Sequence, residues 1–170
     1  MLTDVDWRRV IKVCALSSRQ MMRDVFEHSL NGSKTDAAHD PLIAYVLMDE
    51  AKTPYAVLFI SHFDKANKIA EVSFSSRKQI DETVEDMQLI ARCIREICGQ
   101  VFVHEGAEKV YVIVPIEYRR YTLPFSKARF KNDAILRSHC MSADGKMSDA
   151  MVASILRYEF ERQERQGVEI

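Results

Sequence analysis

The feature that most constrains the fold is residues 69–116, where a strand, a long amphipathic helix and a second strand follow one another. Residues 69–76 alternate apolar and polar side chains, which is typical of a half-buried strand. Residues 80–105 place apolar side chains three or four apart, which predicts a long helix, and Gly106 follows as a left-handed cap. The β-branched run at 109–115 predicts a strand covered on both faces. This order predicts a crossover between parallel strands, with function expected where the first strand gives way to the helix.

Length and charge limit the classes of protein that remain. The chain has 170 residues, of which 47% are hydrophobic, and this predicts a single domain with a substantial core. The net charge of −1 provides no overall field that would attract nucleic acid or an anionic membrane. No apolar run is long enough to cross a membrane, and the first residues do not resemble a signal peptide. We therefore expect a cytoplasmic protein that binds neither nucleic acid nor membrane.

The cysteine and histidine residues predict no metal site. The four cysteines lack CxxC spacing, and Cys93 and Cys98 fall on the predicted long helix, where buried thiols are expected. No HxxxH or HxH pair is present, so His62, His104 and His139 are expected to be surface or packed residues.

The first part of the chain predicts a strand, a helix and two further strands. The segments are a strand at 6–13, a helix from Ser17 or Ser18 to Ser29, a polar loop at 32–40, and strands at 42–48 and 55–63. The last two strands are joined by a short loop and lead into the strand at 69–76. The three strands therefore predict an antiparallel meander.

The last part of the chain predicts a short helix and a final hairpin. Pro124 is suited to the first turn of a helix at 125–129. Strands are expected at 134–142 and 147–160, with Asp144-Gly145 forming a two-residue turn between them. Residues 161–170 are predicted to form a charged tail with little to bury, which leaves one domain at residues 1–160.

Three stretches near the end of the chain carry a resemblance to a known family. They are residues 128–137 (ARFKNDAILR), 143–149 (ADGKMSD) and 156–159 (LRYE). In this order they are similar to the closing sequence of the GNAT family, the acyl-CoA-dependent N-acetyltransferases. The resemblance implies an α/β (α+β) fold: a mixed, mostly antiparallel sheet of about six to seven strands, flanked by helices that include a long central one. The sheet is expected to open between the strands at 69–76 and 109–115.

The resemblance also implies a reaction and the residues that perform it. In the GNAT family the acyl-CoA lies in the opening of the sheet, which implies acetyl-CoA or another acyl-CoA as the cosubstrate, and no metal. The implied acceptor is a small amine or a protein amine. Glu71 resembles the glutamate that some members use as a general base, and Tyr121, with Tyr118 near it, is the candidate general acid. The implied cofactor-binding residues are Phe74, Ser75, Ser76, Arg77, Lys78 and Gln88.

The sequence departs from the family pattern at two functional positions. The family binds the CoA pyrophosphate with a glycine-rich loop, which the alignment puts at 85–90, where no glycine is present. A different register would put that loop at 75–79, where hydroxyls and cations are available. At the position of the family's usual tyrosine acid stands Phe125, and Arg129 replaces the glycine that precedes Phe130.

Three function hypotheses follow from these observations. The first is a working N-acyltransferase with a divergent donor site. The second is a degenerate, non-catalytic GNAT fold that serves as a binding or structural module in a larger assembly. The third is a transferase with an acyl-carrier protein as donor, docked on basic residues such as Arg119, Arg120 and Lys127. A homodimer or a larger protein assembly is compatible with each.

Overall fold

The computed structural model describes residues 10–14, 43–48, 54–76, 84–141 and 145–167. Its strands and helices are β1 (Val10–Cys14), β2 (Ile43–Met48), β3 (Pro54–Asp64), β4 (Ile69–Ser76), α1 (Val84–Gln100), β5 (Lys109–Pro115), α2 (Thr122–Lys127), β6 (Lys131–Met141), β7 (Met147–Leu156) and α3 (Arg157–Arg165). A π-helical turn, Val101–Glu105, follows α1, and a 3₁₀ segment, Ile116–Tyr121, precedes α2.

The described strands form one seven-stranded sheet in the order β1-β2-β3-β4-β5-β7-β6. All neighbours are antiparallel except β4 and β5, which are parallel. The predicted mixed sheet and the antiparallel meander are therefore confirmed. The predicted first strand enters the described residues only at Val10, where β1 begins, and the predicted helix and polar loop between residues 17 and 40 lie outside them.

The hydrophobic core lies between α1 and one face of the central strands. Along α1, Ile90, Ile94 and Ile97 are fully buried, and they share one buried cluster with Val72 of β4 and Val110 of β5. Burying an isoleucine side chain contributes about 1.5–3 kcal/mol, so this stripe alone holds α1 strongly against the sheet. The apolar residues whose spacing predicted the helix thus form the face that the helix buries.

The crossover helix begins and ends close to where the sequence predicts. α1 runs without a break from Val84 to Gln100, and the π-helical turn carries the helical path to Glu105. Gly106 then adopts a left-handed conformation (φ 70°), and its N–H donates to the carbonyl of Val101. A residue with a Cβ is disfavoured in this conformation, so Gly106 fixes the turn that leads into β5.

The segment between β5 and β6 is helical over a longer stretch than predicted. The 3₁₀ segment leaves the end of β5 directly, and α2 then covers Thr122–Lys127 instead of 125–129. Pro124 lies in the first turn of α2, as predicted, where its missing N–H breaks no helical hydrogen bond. This arrangement holds the side chains of the segment over the end of the opened sheet.

The final hairpin is present, but its turn and its second strand differ from the prediction. The last paired residues are Met141 and Met147, so five residues connect the strands instead of a two-residue Asp144-Gly145 turn. Within that loop Gly145 has a φ of 79°, and residues 142–144 lie outside the described part. A longer loop with a left-handed glycine is the next common hairpin connection after two-residue turns.

The predictions that a strand continues to residue 160 and that a charged tail with little to bury follows are wrong, because α3 occupies Arg157–Arg165. At the start of this helix the side chain of Glu159 accepts a hydrogen bond from the backbone N–H of Leu156, and this local hydrogen bond favours a helix over a continued strand. The ring of Phe160 then packs on Phe102, with centroids 5.3 Å apart. The division into one domain at residues 1–160 stays a prediction.

A buried arginine holds α3 against α1. Arg95 is 6% exposed; it donates to Oε1 of Gln163 at 2.8 Å and forms an ion pair with Glu164. Its guanidinium also lies over the ring of Phe160, 4.5 Å from the centroid. Gln163 and Glu164, which belong to the predicted charged tail, therefore bind the buried guanidinium of Arg95.

Candidate active site

The sheet opens between its two parallel strands, as the sequence predicts. The β4–β5 ladder has three pairs, Ile69–Lys109, Ala70–Val110 and Glu71–Tyr111, and ends there. Beyond it β4 stays paired with β3 as far as Ser76, and β5 stays paired with β7 as far as Pro115. The two strands therefore separate toward their carboxyl ends, the edge at which ligands collect in folds with parallel strands.

A cavity of about 420 Å³ occupies this opening, and we call it the cleft. Its lining comes from β4, from β5 and from the helical segment that follows β5. The lining residues are Ser73, Phe74, Val112, Ile113, Val114, Pro115, Tyr118, Tyr121 and Phe125. Successive strand residues point to opposite faces, so the cleft is bounded by both faces of the sheet. Its volume is within the usual range for small-molecule and cofactor sites, about 300–1,000 Å³.

Aromatic side chains form one wall of the cleft. The ring of Tyr121 lies 5.9 Å from that of Phe74 and 6.1 Å from that of Tyr118, measured between centroids. Both tyrosines carry a hydroxyl, which can donate or accept a proton. The candidate acid Tyr121 therefore lines the cleft with Tyr118.

Phe125 and Arg129 are the two positions in this segment at which the sequence departs from the family pattern. Phe125 lines the cleft and is 1% exposed, and its ring meets that of Phe130 edge-on at 5.3 Å. Arg129 has a φ of 70°, a conformation that favours glycine, at the position where the family has one. A backbone conformation that favours glycine is therefore occupied here by a residue with a Cβ. Phe125 itself has no proton to donate.

Glu71 belongs to the last pair of the parallel ladder, at the point where β4 and β5 begin to separate. It is half-buried, and its Oε2 accepts a hydrogen bond of 2.9 Å from the hydroxyl of Tyr111. Burial, followed by the hydrogen bond and charge of Glu71, raises the pKa of Tyr111 to about 12. Like other tyrosines, Tyr111 is a neutral donor at physiological pH, and the raised pKa extends this to higher pH. Ser73 and Ile113 follow two residues later on these strands, and both line the cleft.

The predicted cofactor-binding residues occupy different positions. Phe74 lines the cleft, and Ser75 and Ser76 end β4 beyond the parallel ladder. Gln88 is half-buried on α1, while Arg77 and Lys78 lie outside the described residues. One end of the predicted set, Phe74 to Ser76, thus adjoins the opening.

The alignment that placed the pyrophosphate loop at 85–90 is wrong. These residues are the first turns of α1, and Met87, Leu89 and Ile90 are buried in the core, each at most 5% exposed. The helical spacing of apolar residues explains this outcome, because packing against the sheet requires those side chains at those positions. The chain that enters α1, residues 77–83, lies outside the described part.

Sequence reasoning missed Tyr111 and several residues of β5. It treated 109–115 as a buried run and assigned no polar role within it, although Tyr111 is half-buried and Glu71 is its neighbour on β4. The alternation of Tyr111 and Ile113 with buried Val110 and Val112 was the available signal.

The cysteine and histidine side chains lie where the sequence predicts them. Cys93 and Cys98 are buried, as predicted, and burial raises the pKa of the Cys98 thiol. His62, His104 and His139 are exposed. In this part of the chain, no group of three or more His, Cys, Asp or Glu side chains is arranged to hold a metal ion. None of the helices described here combines the length and apolar character needed to span a membrane.

Comparison with solved structures identifies the fold. The spermidine/spermine N-acetyltransferase SpeG from Vibrio cholerae, in a complex with manganese ions, superposes with a TM-score of 0.69 at 12% identity over 93% of this chain and 98% of that one. The spermidine N-acetyltransferase from Vibrio cholerae in complex with CoA and spermine gives 0.59 at 14% identity, over 85% and 79%. A probable acetyltransferase gives 0.59 at 15% identity, over 69% and 62%.

The chain therefore has the GNAT fold, and the resemblance carried by its final segments is confirmed at the level of the fold. Sequence comparison adds nothing to this, because no family model and no curated protein matches the chain.

Proposed function

We propose that this protein is an N-acyltransferase that transfers an acyl group from acetyl-CoA or another acyl-CoA to an amine. The observation that carries the proposal is the cleft between β4 and β5, which has a tyrosine on its wall and begins beyond the ladder pair that contains the Glu71 carboxylate. The spermidine N-acetyltransferase with the same fold was solved with CoA and spermine, which supports a CoA donor and an amine acceptor here. Small amines and protein amines are both retained as acceptor classes.

The donor is proposed to lie along the separated part of β4. Beyond Glu71 this strand has no ladder partner in β5, so an extended chain such as the pantetheine arm can add to it by backbone hydrogen bonds. N–H groups of β4 then polarise the thioester carbonyl. Phe74 is proposed to contact the arm, and Ser75 and Ser76 follow it on the same strand.

The reaction requires one proton acceptor and one proton donor. The amine nitrogen attacks the thioester carbonyl carbon, a C–N bond forms, and the C–S bond breaks. Glu71 takes the proton that the nitrogen loses, directly or through one water, and Tyr121 gives its hydroxyl proton to the departing thiolate. Solvent then restores both groups, so the products are an amide and free CoA.

A degenerate, non-catalytic GNAT fold is the second candidate, and Phe125 favours it specifically. This residue lies in the cleft at the position of the family's usual tyrosine acid and has no proton to donate. Under this hypothesis the cleft holds a ligand, or the protein serves an assembly, without turnover. For either candidate we propose a cytoplasmic location, and a homodimer or a larger protein assembly stays open.

Calorimetric titration with acetyl-CoA, followed by an assay of CoA release with a panel of amines that includes spermine, tests the proposal. We expect binding and amine-dependent CoA release. Ile113→Trp, which fills the cleft, should abolish both, whereas Ile135→Trp makes the same change at a 61% exposed position on β6 and should change neither. Binding without release would favour the degenerate fold. No binding, or equal loss in the two variants, would contradict the proposed cleft.

A further inference from the structure

The Glu71–Tyr111 pair lies at a special position in the sheet. It is the last pair of the parallel ladder, immediately before β4 and β5 separate. The same two residues are also joined through their side chains, by the 2.9 Å hydrogen bond from the Tyr111 hydroxyl to Oε2 of Glu71. A backbone pair and a side-chain bond therefore fix this carboxylate at the point where the cleft begins.

The next residues on the same face of each strand line the cleft. Ser73 and Ile113 are two positions beyond Glu71 and Tyr111, and both line the cavity. Two residues advance a strand by about 7 Å, which a glutamate side chain and one water can bridge. The orientation of the Glu71 carboxylate therefore decides whether it reaches a ligand in the cleft.

We propose that Tyr111 is a positioning residue, which holds the Glu71 carboxylate in the orientation that accepts the proton of the acceptor amine. This inference rests on the proposed acyl transfer. Tyr111 acts through Glu71 and touches neither donor nor acceptor, and the proton that leaves the nitrogen goes to Glu71. A purely structural alternative exists, in which the hydrogen bond locks the strands together and affects stability alone.

Neighbouring strands place further polar residues beside the pair. From β3, His62 is the ladder partner of Glu71, and from β7, Ser154 is the ladder partner of Tyr111. Lys109, two residues before Tyr111, is held by Asp133 at 2.7 Å. Tyr111 on β5 donates its hydroxyl hydrogen bond to the carboxylate, and its raised pKa of about 12 keeps the phenol protonated to a higher pH than an ordinary tyrosine.

A double-mutant cycle separates the two roles. Tyr111→Phe removes one hydroxyl, and we expect it to lower kcat about tenfold while the KM for acetyl-CoA stays within about twofold. In the Glu71→Gln background, Tyr111→Phe should have no further effect, because the residue through which it acts is gone. Tyr158→Phe, on a 62% exposed residue of α3, is the control and should leave kcat unchanged.

The outcomes distinguish this inference from the proposed function. If the kcat effects of the two substitutions multiply, or if the Tyr111→Phe loss merely follows a lower Tm, Tyr111 is structural while the acyl transfer stands. If the wild type releases no CoA with any amine, the proposed function itself fails. A measurement without turnover complements the cycle. The tyrosinate absorbance of Tyr111 should titrate at lower pH in Glu71→Gln than in the wild type. An unchanged titration would show that Glu71 does not interact with the Tyr111 hydroxyl, and the inference would fail.

Discussion

The ring of Tyr121 faces the ring of Phe74 across the opening of the sheet, with centroids 5.9 Å apart and planes inclined by 48°. Phe74 belongs to β4 beyond the last parallel pair, and Tyr121 ends the 3₁₀ segment that leaves β5. The two elements that bound the cleft are thus in contact through these rings. A thioester bound against β4 would have the Tyr121 hydroxyl as a nearby proton source.

The first prediction concerns this hydroxyl. Tyr121→Phe keeps the ring contact with Phe74 and removes the proton, so kcat for acyl transfer should fall about a hundredfold, with acetyl-CoA binding retained. The measurement is steady-state CoA release, with calorimetry for binding. Tyr118→Phe removes the other hydroxyl of the aromatic wall and is the matched control, with less than about a threefold change expected. A larger loss in Tyr118→Phe would assign the acid role to Tyr118.

The elements that depend on local periodicity could be predicted from the sequence. Strands β2 to β5 and helix α1 follow from alternation and from helical spacing, because each buries the face that its pattern defines. The opening between β4 and β5 was predicted from the family resemblance. Helix α3 was missed because its polar residues are satisfied by Arg95, which lies 68 positions away from Gln163 in the chain.

Residues of the candidate site could be predicted only where the pattern that identifies them lies within one segment of the chain. Phe74 and Tyr121 were both assigned in advance, and both line the cleft. Tyr111 was not, because its partner Glu71 lies 40 positions earlier and the pair exists only through the parallel register. The pyrophosphate alignment failed for a related reason, since buried Met87 and Ile90 show a helix where the motif suggested a loop.

The second prediction tests the left-handed position at Arg129. A residue with a Cβ loses about 1–2 kcal/mol in this conformation, whereas glycine does not. Arg129→Gly should therefore raise the free energy of unfolding by about 0.5–1 kcal/mol, after the greater flexibility of glycine in the unfolded chain is subtracted. Urea denaturation measures the change. Lys127→Gly, at the last residue of α2, should lower stability by up to about 1 kcal/mol, since that position is helical. A loss of stability in Arg129→Gly would contradict the strain argument.

The third prediction compares two glycines at the end of the crossover helix. Gly106 has a φ of 70°, so Gly106→Ala should lower the free energy of unfolding by about 1 kcal/mol. Gly99 lies inside α1, and an added Cβ would meet the ring of Phe160 at 3.4 Å, an ordinary contact distance. Gly99→Ala should therefore raise stability by up to about 1 kcal/mol, because alanine is the better helix former. Thermal denaturation of both variants checks the opposite signs. Unchanged or higher stability in Gly106→Ala would contradict the cap, whereas a loss in Gly99→Ala would show that the ring of Phe160 does not accommodate the added Cβ.

The last prediction concerns the acid stability of α3 and rests on Glu159. This residue is 5% exposed; it forms an ion pair with Lys131 of β6, and its Oε2 accepts the N–H of Leu156 at 3.3 Å. The hydrogen bond from Lys131 lowers the pKa of Glu159, against the opposing effect of burial. Because the pKa is lower in the folded state, this stabilisation is fully present above the unfolded pKa of glutamate. It is lost as the pH falls through the folded value.

Glu159→Gln should therefore lower the free energy of unfolding by about 1–2 kcal/mol at neutral pH, since the charge-assisted bond from Lys131 and the hydrogen bond from the N–H of Leu156 are both weakened. The difference from the wild type should shrink as the pH is lowered, because acid protonates Glu159 in the wild type as well. Urea denaturation over a series of pH values measures this. Glu161→Gln is the control, since its ion pair with Arg157 is largely exposed and should contribute less than about 0.5 kcal/mol at any pH. A difference for Glu159→Gln that stays constant into the acid range would show that the carboxylate charge has no part in holding α3 to the sheet.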